Sequence, residues 1–218
     1  MMKHFKVIDQ LQLIDGELMC KKMNGRSYQK AHYKQGDLDG ACGAYSIAIV
    51  LNILGVLDAG DVFDDSKIDK RTTYGRLIKT LNKEYGLYPD GLTANDIKKL
   101  LLSDYSQYVD VECKTRSDKD ALIGKAVKCV NENTPVILSI RYINGQGHWI
   151  VVIGYVLDEN ENVTALLTLD PGNDSPTYAL WNGVLSLEKE RRKKYGYCYT
   201  TNLATLVDFD AEVIITCI

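Results

Sequence analysis

Apolar residues in the first half of the chain recur at helical spacing. The strongest run extends from Cys42 to about Leu57, where Ala44, Ile47, Val50, Ile53, Leu54 and Leu57 fall mostly at intervals of three and four. Apolar residues nearly encircle this segment, which predicts a buried central helix rather than a surface one. Shorter helices are expected near Thr72–Glu84, near Asn95–Ser103 behind a Thr93/Asp96 capping box, and over Asp118–Asn133, where Ser117 and Asp120 form a second box. After Pro135 the pattern changes. Val136–Tyr142, Trp149–Leu157 and Val163–Leu169 are rich in branched and aromatic residues and separated by turn formers, and Tyr195–Thr201 and Glu212–Cys217 follow in the same style. Helices first and strands afterwards predict an α+β fold. Its helical half, about 35–133, holds the buried central helix and packs on an antiparallel β-sheet half, about 135–218. The length of 218 residues suits one domain spanning 1–218, with a cleft between the halves as the natural place for a site.

Charge and composition narrow the function. The 26 Lys+Arg against 29 Asp+Glu leave a net charge of −3, without the basic excess of a nucleic-acid-binding surface. No apolar run is long enough to span a membrane. The first ten residues lack a continuous apolar stretch behind their basic ones, so no secretory leader is expected and a cytoplasmic location is, with export by a non-classical route if the protein is an effector. The six cysteines then read as reduced. No Cys-x-x-Cys pair occurs and the three histidines have no zinc-site spacing, so neither a metal nor an organic cofactor is expected.

Candidate chemistry concentrates in three blocks. In Gln35-Gly36-Asp37-Leu38-Asp39-Gly40-Ala41-Cys42-Gly43, a glycine-bearing loop delivers a cysteine to the first turn of the buried helix. Unpaired N–H groups there favour thiolate over thiol and stabilise the oxyanion formed when it attacks a carbonyl. Gln35 can supply a second donor, while Asp37 and Asp39 are expected to point away from the sulfur. Alone, Cys42 reads equally well as a small buried residue. A nucleophile needs a base and a group that orients it. The second block, Gly145-Gln146-Gly147-His148-Trp149, puts a histidine at the mouth of a strand; the third, Leu169-Asp170-Pro171, puts an acid at a strand end. Asp158–Asn162 reads as the hairpin loop between these strands. With Val156 opposite Asn162, His148 falls opposite Asp170 on the same face, where a carboxylate fixes the imidazole tautomer. His4 and His32 have no such strand with an acid at its end. Gly40, Gly43, Gly147, Trp149 and Trp181 are candidate substrate-binding residues, with Trp181 on a loop expected over 173–193 and Tyr142, Tyr155 and Tyr178 as further groove candidates.

The order Gln, Cys, His, Asp resembles the papain-like superfamily of cysteine peptidases. Within it, the blocks are most similar to the peptidases that clip double-glycine leaders from bacteriocins and to their free-standing relatives. In that group a Cys-Gly pair opens the central helix, an aromatic and a hydrophobic strand follow the His, and an Asp-Pro comes after. Here these are Cys42-Gly43, His148-Trp149-Ile150-Val151-Val152 and Asp170-Pro171. The resemblance implies a papain-like fold, a bacterial source, a peptide or protein substrate, Cys42 as nucleophile, His148 as general base and acid, Asp170 as its orienter and Gln35 as oxyanion donor. This sequence departs from the pattern in three respects. Gln35 precedes Cys42 by seven positions rather than six. Gly43 stands where the papain signature has an aromatic. Neither a transporter span nor a Gly-x-x-x-x-Gly-Lys-Ser/Thr loop accompanies the blocks. The same triad also serves transglutaminases, glutamine deamidases and acyltransferase effectors, and the scaffold can serve as a peptide-binding module without turnover. An activating protein partner stays open, as does a regulatory or merely connecting role for Asp58–Arg71.

Overall fold

In the computed structural model, residues 4–22, 25–35, 41–57, 75, 91–115, 118–189 and 194–218 are described. The chain begins with β1 (His4–Val7) and then a small three-stranded sheet, β2 (Leu11–Ile14), β3 (Glu17–Lys21) and β4 (Tyr28–Lys30), paired in that order. Asp15 and Gly16, both at positive φ, turn β2 into β3, the geometry an Asp-Gly pair supplies at low cost. These strands were not expected from the sequence.

Helix α1 (Cys42–Ile53) is buried on almost every side, as its apolar surround predicts. It stops four residues short of the expected Leu57. Gly55 takes a left-handed conformation (φ 72°), Val56 N–H donates to Leu51 O and Gly55 N–H to Asn52 O, a Schellman ending that only glycine adopts cheaply. Helix α2 (Ala94–Asp104) begins at Thr93 with the expected capping box: Asp96 N–H donates to the Thr93 hydroxyl at 3.2 Å and Thr93 N–H to the Asp96 carboxylate at 3.0 Å. Helix α3 (Lys119–Asn131) is capped not by Ser117 but by Asp118, whose carboxylate accepts from Asp120 and Ala121 N–H. A free carboxylate one position later does the same job with the added favour of the helix dipole. The helix expected near 72–84 lies, apart from Gly75, outside the described residues, as does the 58–71 segment.

The remaining strands are β5 (Val109–Thr115), β6 (Val136–Tyr142), β7 (Gly147–Leu157), β8 (Val163–Leu169), β9 (Gly183–Ser186), β10 (Tyr197–Thr200) and β11 (Ala204–Cys217). Antiparallel pairing runs β7-β6-β11-β10-β9-β8 and returns to β7, so these six close on themselves. Strand β1 pairs β7 beyond the end of β6, and β5 pairs β11 beyond the end of β10. The sheet thus recruits strands from both ends of the chain and from within the segment expected to be helical. The result is a mixed α/β fold with few helices and a sheet-rich core. Helix α1 packs on β7 and β6, α2 on β5 and β11, and α3 on β7 and β11. The start of α1 is thereby set against the start of β7.

Candidate active site

Cys42 is the first residue of α1 and only 7% exposed. The N-cap, Ala41, has no side-chain acceptor and no acidic residue sits in the first turn, so no such group competes for the helix's leading N–H groups. Gly43 explains how this turn approaches the sheet. A methyl there would press on Leu92 at 3.1 Å and on the Trp149 ring at 3.2 Å. Trp149 itself, expected to face substrate, is buried: its Nε1 donates to Leu92 O at 2.7 Å and its carbonyl accepts from Ser46 at 3.2 Å. It spends its surface and its polar group fastening α1 to β7, one residue from His148.

His148 stands opposite Ile140 on β6, and its Nε2 meets Asp170 Oδ1 at 2.6 Å. Cys42 is the ring's other polar neighbour, close enough for its sulfur to raise the imidazole pKa. With Nε2 committed to the carboxylate, Nδ1 is the nitrogen left for the thiol. The pairing that brings Asp170 here is not the expected one. Val156 faces Ala165 rather than Asn162, and Val151 faces Leu169, so the continued register sets Gly172, not Asp170, opposite His148. The offset is already present where Leu157 pairs with Val163 across the 158–162 loop, and the two register shifts, at Val156/Leu157 and Val152/Gly154, cancel one another. Because the offset is two residues, Asp170 keeps the predicted face and reaches His148 diagonally.

Electrostatics follow from this geometry. Burial disfavours a charged imidazole, but the Asp170 hydrogen bond and charge, with the neighbouring Cys42 sulfur, outweigh it and raise the His148 pKa to about 9. Burial pushes the Asp170 carboxyl up, yet His148, the Gly172 N–H and the Tyr199 hydroxyl hold it below the usual carboxylate range although it is 1% exposed. Tyr142 stacks beside His148 with ring centroids 6.1 Å apart, and burial with the nearby Asp170 and Cys42 charges raises its phenol.

The other expected residues fall in different places. Gln35 N–H donates to Pro171 O at 2.8 Å, which brings it beside the Asp170 turn, and its Oε1 is buried without a hydrogen-bond partner. Gly40, Asp37 and Asp39 lie outside the described residues. Gly147 is exposed with open space where a Cβ would stand, so close approach does not require it; Gly145, at φ +88°, makes the turn instead. The loop expected over 173–193 is interrupted by β9. Trp181 packs edge-on against Phe5 of β1 at 5.4 Å and, with Asn173, Tyr178 and Asn202, lines an open depression of about 280 Å³. The sequence reading missed Tyr199 and Asn182 and weighed His32 only as an alternative base; all three touch Asp170.

A buried thiol at a helix start beside an imidazole that meets a carboxylate is the equipment of a cysteine peptidase. Residues 26–200 match the Peptidase_C39 like family, and the chain belongs to that family. It is a cysteine peptidase. Among solved structures it is similar to a candidate C39-like peptidase from Bacillus anthracis, at 16% identity and a TM-score of 0.47, covering 85% of this chain and 94% of that one. It is also similar to UfSP from C. elegans, at 11% identity and a TM-score of 0.43, covering 99% of this chain but 34% of the other. No curated protein matches the sequence. Among the described residues no helix is long and apolar enough to cross a membrane.

Proposed function

We propose that the chain hydrolyses peptide or protein amide bonds through a Cys42–His148–Asp170 triad, and that it is a free-standing relative of the bacteriocin leader peptidases acting as one catalytic unit. The observation that carries this reading is the single imidazole that meets a carboxylate at 2.6 Å and lies beside a thiol at a helix start. The Cys42 thiolate attacks the scissile carbonyl carbon and forms the C–S bond. The negative charge moves onto oxygen, where the α1 N–H groups and Gln35 are the available donors. As the C–N bond breaks, the His148 proton passes to the departing amine and an acyl thioester is left. Water, deprotonated by His148, attacks the thioester; the C–S bond breaks and the free acid leaves. Asp170 keeps the imidazole in the tautomer that faces sulfur and stabilises its charged form.

A peptide carrying an electrophilic warhead tests this directly. It is expected to label Cys42 alone among the six cysteines, and Cys42→Ala is expected to abolish both labelling and the release of new N-termini while leaving the protein folded. Turnover that survives Cys42→Ala refutes the mechanism. Ammonia release from glutamine-containing proteins without new N-termini would move the reading to deamidation on the same triad.

A further inference from the structure

Asp170 works from a place the sheet does not secure. It lies one residue past the end of β8, and the register leaves it two positions short of His148. Side chains hold it instead. Asn182 clamps its backbone from both sides: the amide oxygen accepts from Asp170 N–H at 2.7 Å and Nδ2 donates to Asp170 O at 3.0 Å. The same Nδ2 reaches Asp174 O at 3.0 Å. His32 Nε2 lies 2.8 Å from Asp170 O, a bond that requires the proton on Nε2. Burial lowers the His32 pKa, and its bare Nδ1 is buried without a partner, so this ring is a neutral donor.

The carboxylate is held as fully as the backbone. Oδ1 takes His148 and the Gly172 N–H, at 2.6 and 2.7 Å, and Oδ2 takes the Tyr199 hydroxyl at 2.9 Å. Carboxyl torsions are soft, so a group anchored through one oxygen turns readily; the Tyr199 bond opposes that turn. Tyr199 reaches Oδ2 only because Gly183, paired with Thr168 across β8 and β9, has no side chain. A methyl there would overlap both the Tyr199 and the Thr168 hydroxyls, which lie 3.2 Å apart.

We infer that Tyr199 and Asn182 are positioning residues of the reaction: Asn182 fixes the Asp170 backbone, and Tyr199, admitted by Gly183, holds Oδ2 so that Oδ1 stays on His148. The inference rests on the triad proposed above. Its test needs no substrate. Iodoacetamide alkylation of each cysteine is followed by mass spectrometry at pH 6 and pH 9 in the full chain. An ordinary thiol is less than about 1% thiolate at pH 6, so fast labelling there reports the thiolate–imidazolium pair. Tyr199→Phe is expected to slow Cys42 labelling at pH 6 by about tenfold and to change it by less than about twofold at pH 9. Gly183→Ala, which leaves every polar group in place, is expected to do the same and serves if Tyr199→Phe fails to fold. Tyr155→Phe removes a partly buried hydrogen bond to Asn131 that involves none of these residues, and is expected to leave the profile unchanged. Wild-type labelling at pH 6 in folded Tyr199→Phe overturns the inference and leaves the triad standing. Wild-type Cys42 that labels no faster than the other five cysteines overturns both.

Discussion

Replacing Asp170 by Asn removes one charge and little volume, which makes it the sharpest probe of what keeps His148 protonated. The His148 pKa stands at about 9 against an ordinary 6.5, a difference worth about 3 kcal/mol in favour of the charged ring. A folded-state pKa raised above its unfolded value contributes stability that is fully present below pH 6.5. That stability is lost as pH rises through about 9. Asparagine still offers an oxygen to His148 Nε2 and the Gly172 N–H, but no charge, so the ring titrates close to its ordinary range. Cys42 carries part of the effect, so the expected change is smaller than the whole of about 3 kcal/mol. The assay is urea unfolding of wild type and Asp170→Asn at pH 6, 7.5 and 9.5. The stability gap between them is expected to be largest at pH 6 and to shrink towards pH 9.5. Comparing the two proteins also cancels the titration of every other group, provided it is common to both. A gap of constant size across this range would refute the claim that the carboxylate charge holds the imidazolium.

Glu212 supplies an independent pH effect far from the triad. It is fully buried on β11 with neither carboxylate oxygen hydrogen-bonded, and burial, with Glu112 adding and Lys114 and Lys125 opposing, raises its pKa to about 7. Its contribution is full below about pH 4.5 and lost as pH rises through 7, so Glu212→Gln should flatten the stability profile there by roughly 3 kcal/mol, read by unfolding at pH 4.5 and 7.5. Gly154→Ala drives a methyl into the Lys6 carbonyl and Val7 where β1 lies on β7; a loss of about 1–3 kcal/mol is expected in chemical denaturation, and an unchanged midpoint would contradict the close packing. Thr93→Ala removes the α2 cap, and a loss of about 1 kcal/mol is expected by the same measurement.

What the sequence determined by itself was whatever local chemistry decides. The encircling apolar run from Cys42 forces a buried helix, the Thr93/Asp96 pair caps α2, and the branched runs at 136–142 and 163–169 become strands with those bounds. Signals of equal strength went unread: Asp15-Gly16 between apolar alternations makes the β2–β3 turn, Gly55 stops α1, and the alternating Val109-Asp110-Val111-Glu112 is β5. Cys42, His148 and Asp170 were legible as three blocks because each sits at or beside the end of an element. Their meeting was not local. A hairpin register is set where its strands leave the loop, here at Leu157 and Val163, and the β7–β8 pairing lies two residues from the expected one, an even number that preserved the face. Tertiary structure alone brought Tyr199 and Asn182 to Asp170. They come from strands and turns 29 and 12 residues away, and nothing in their own neighbourhoods distinguishes them from ordinary core and turn residues. The side-chain partners of a buried charge are chosen by which strands close the sheet, and that closure is a property of the whole chain.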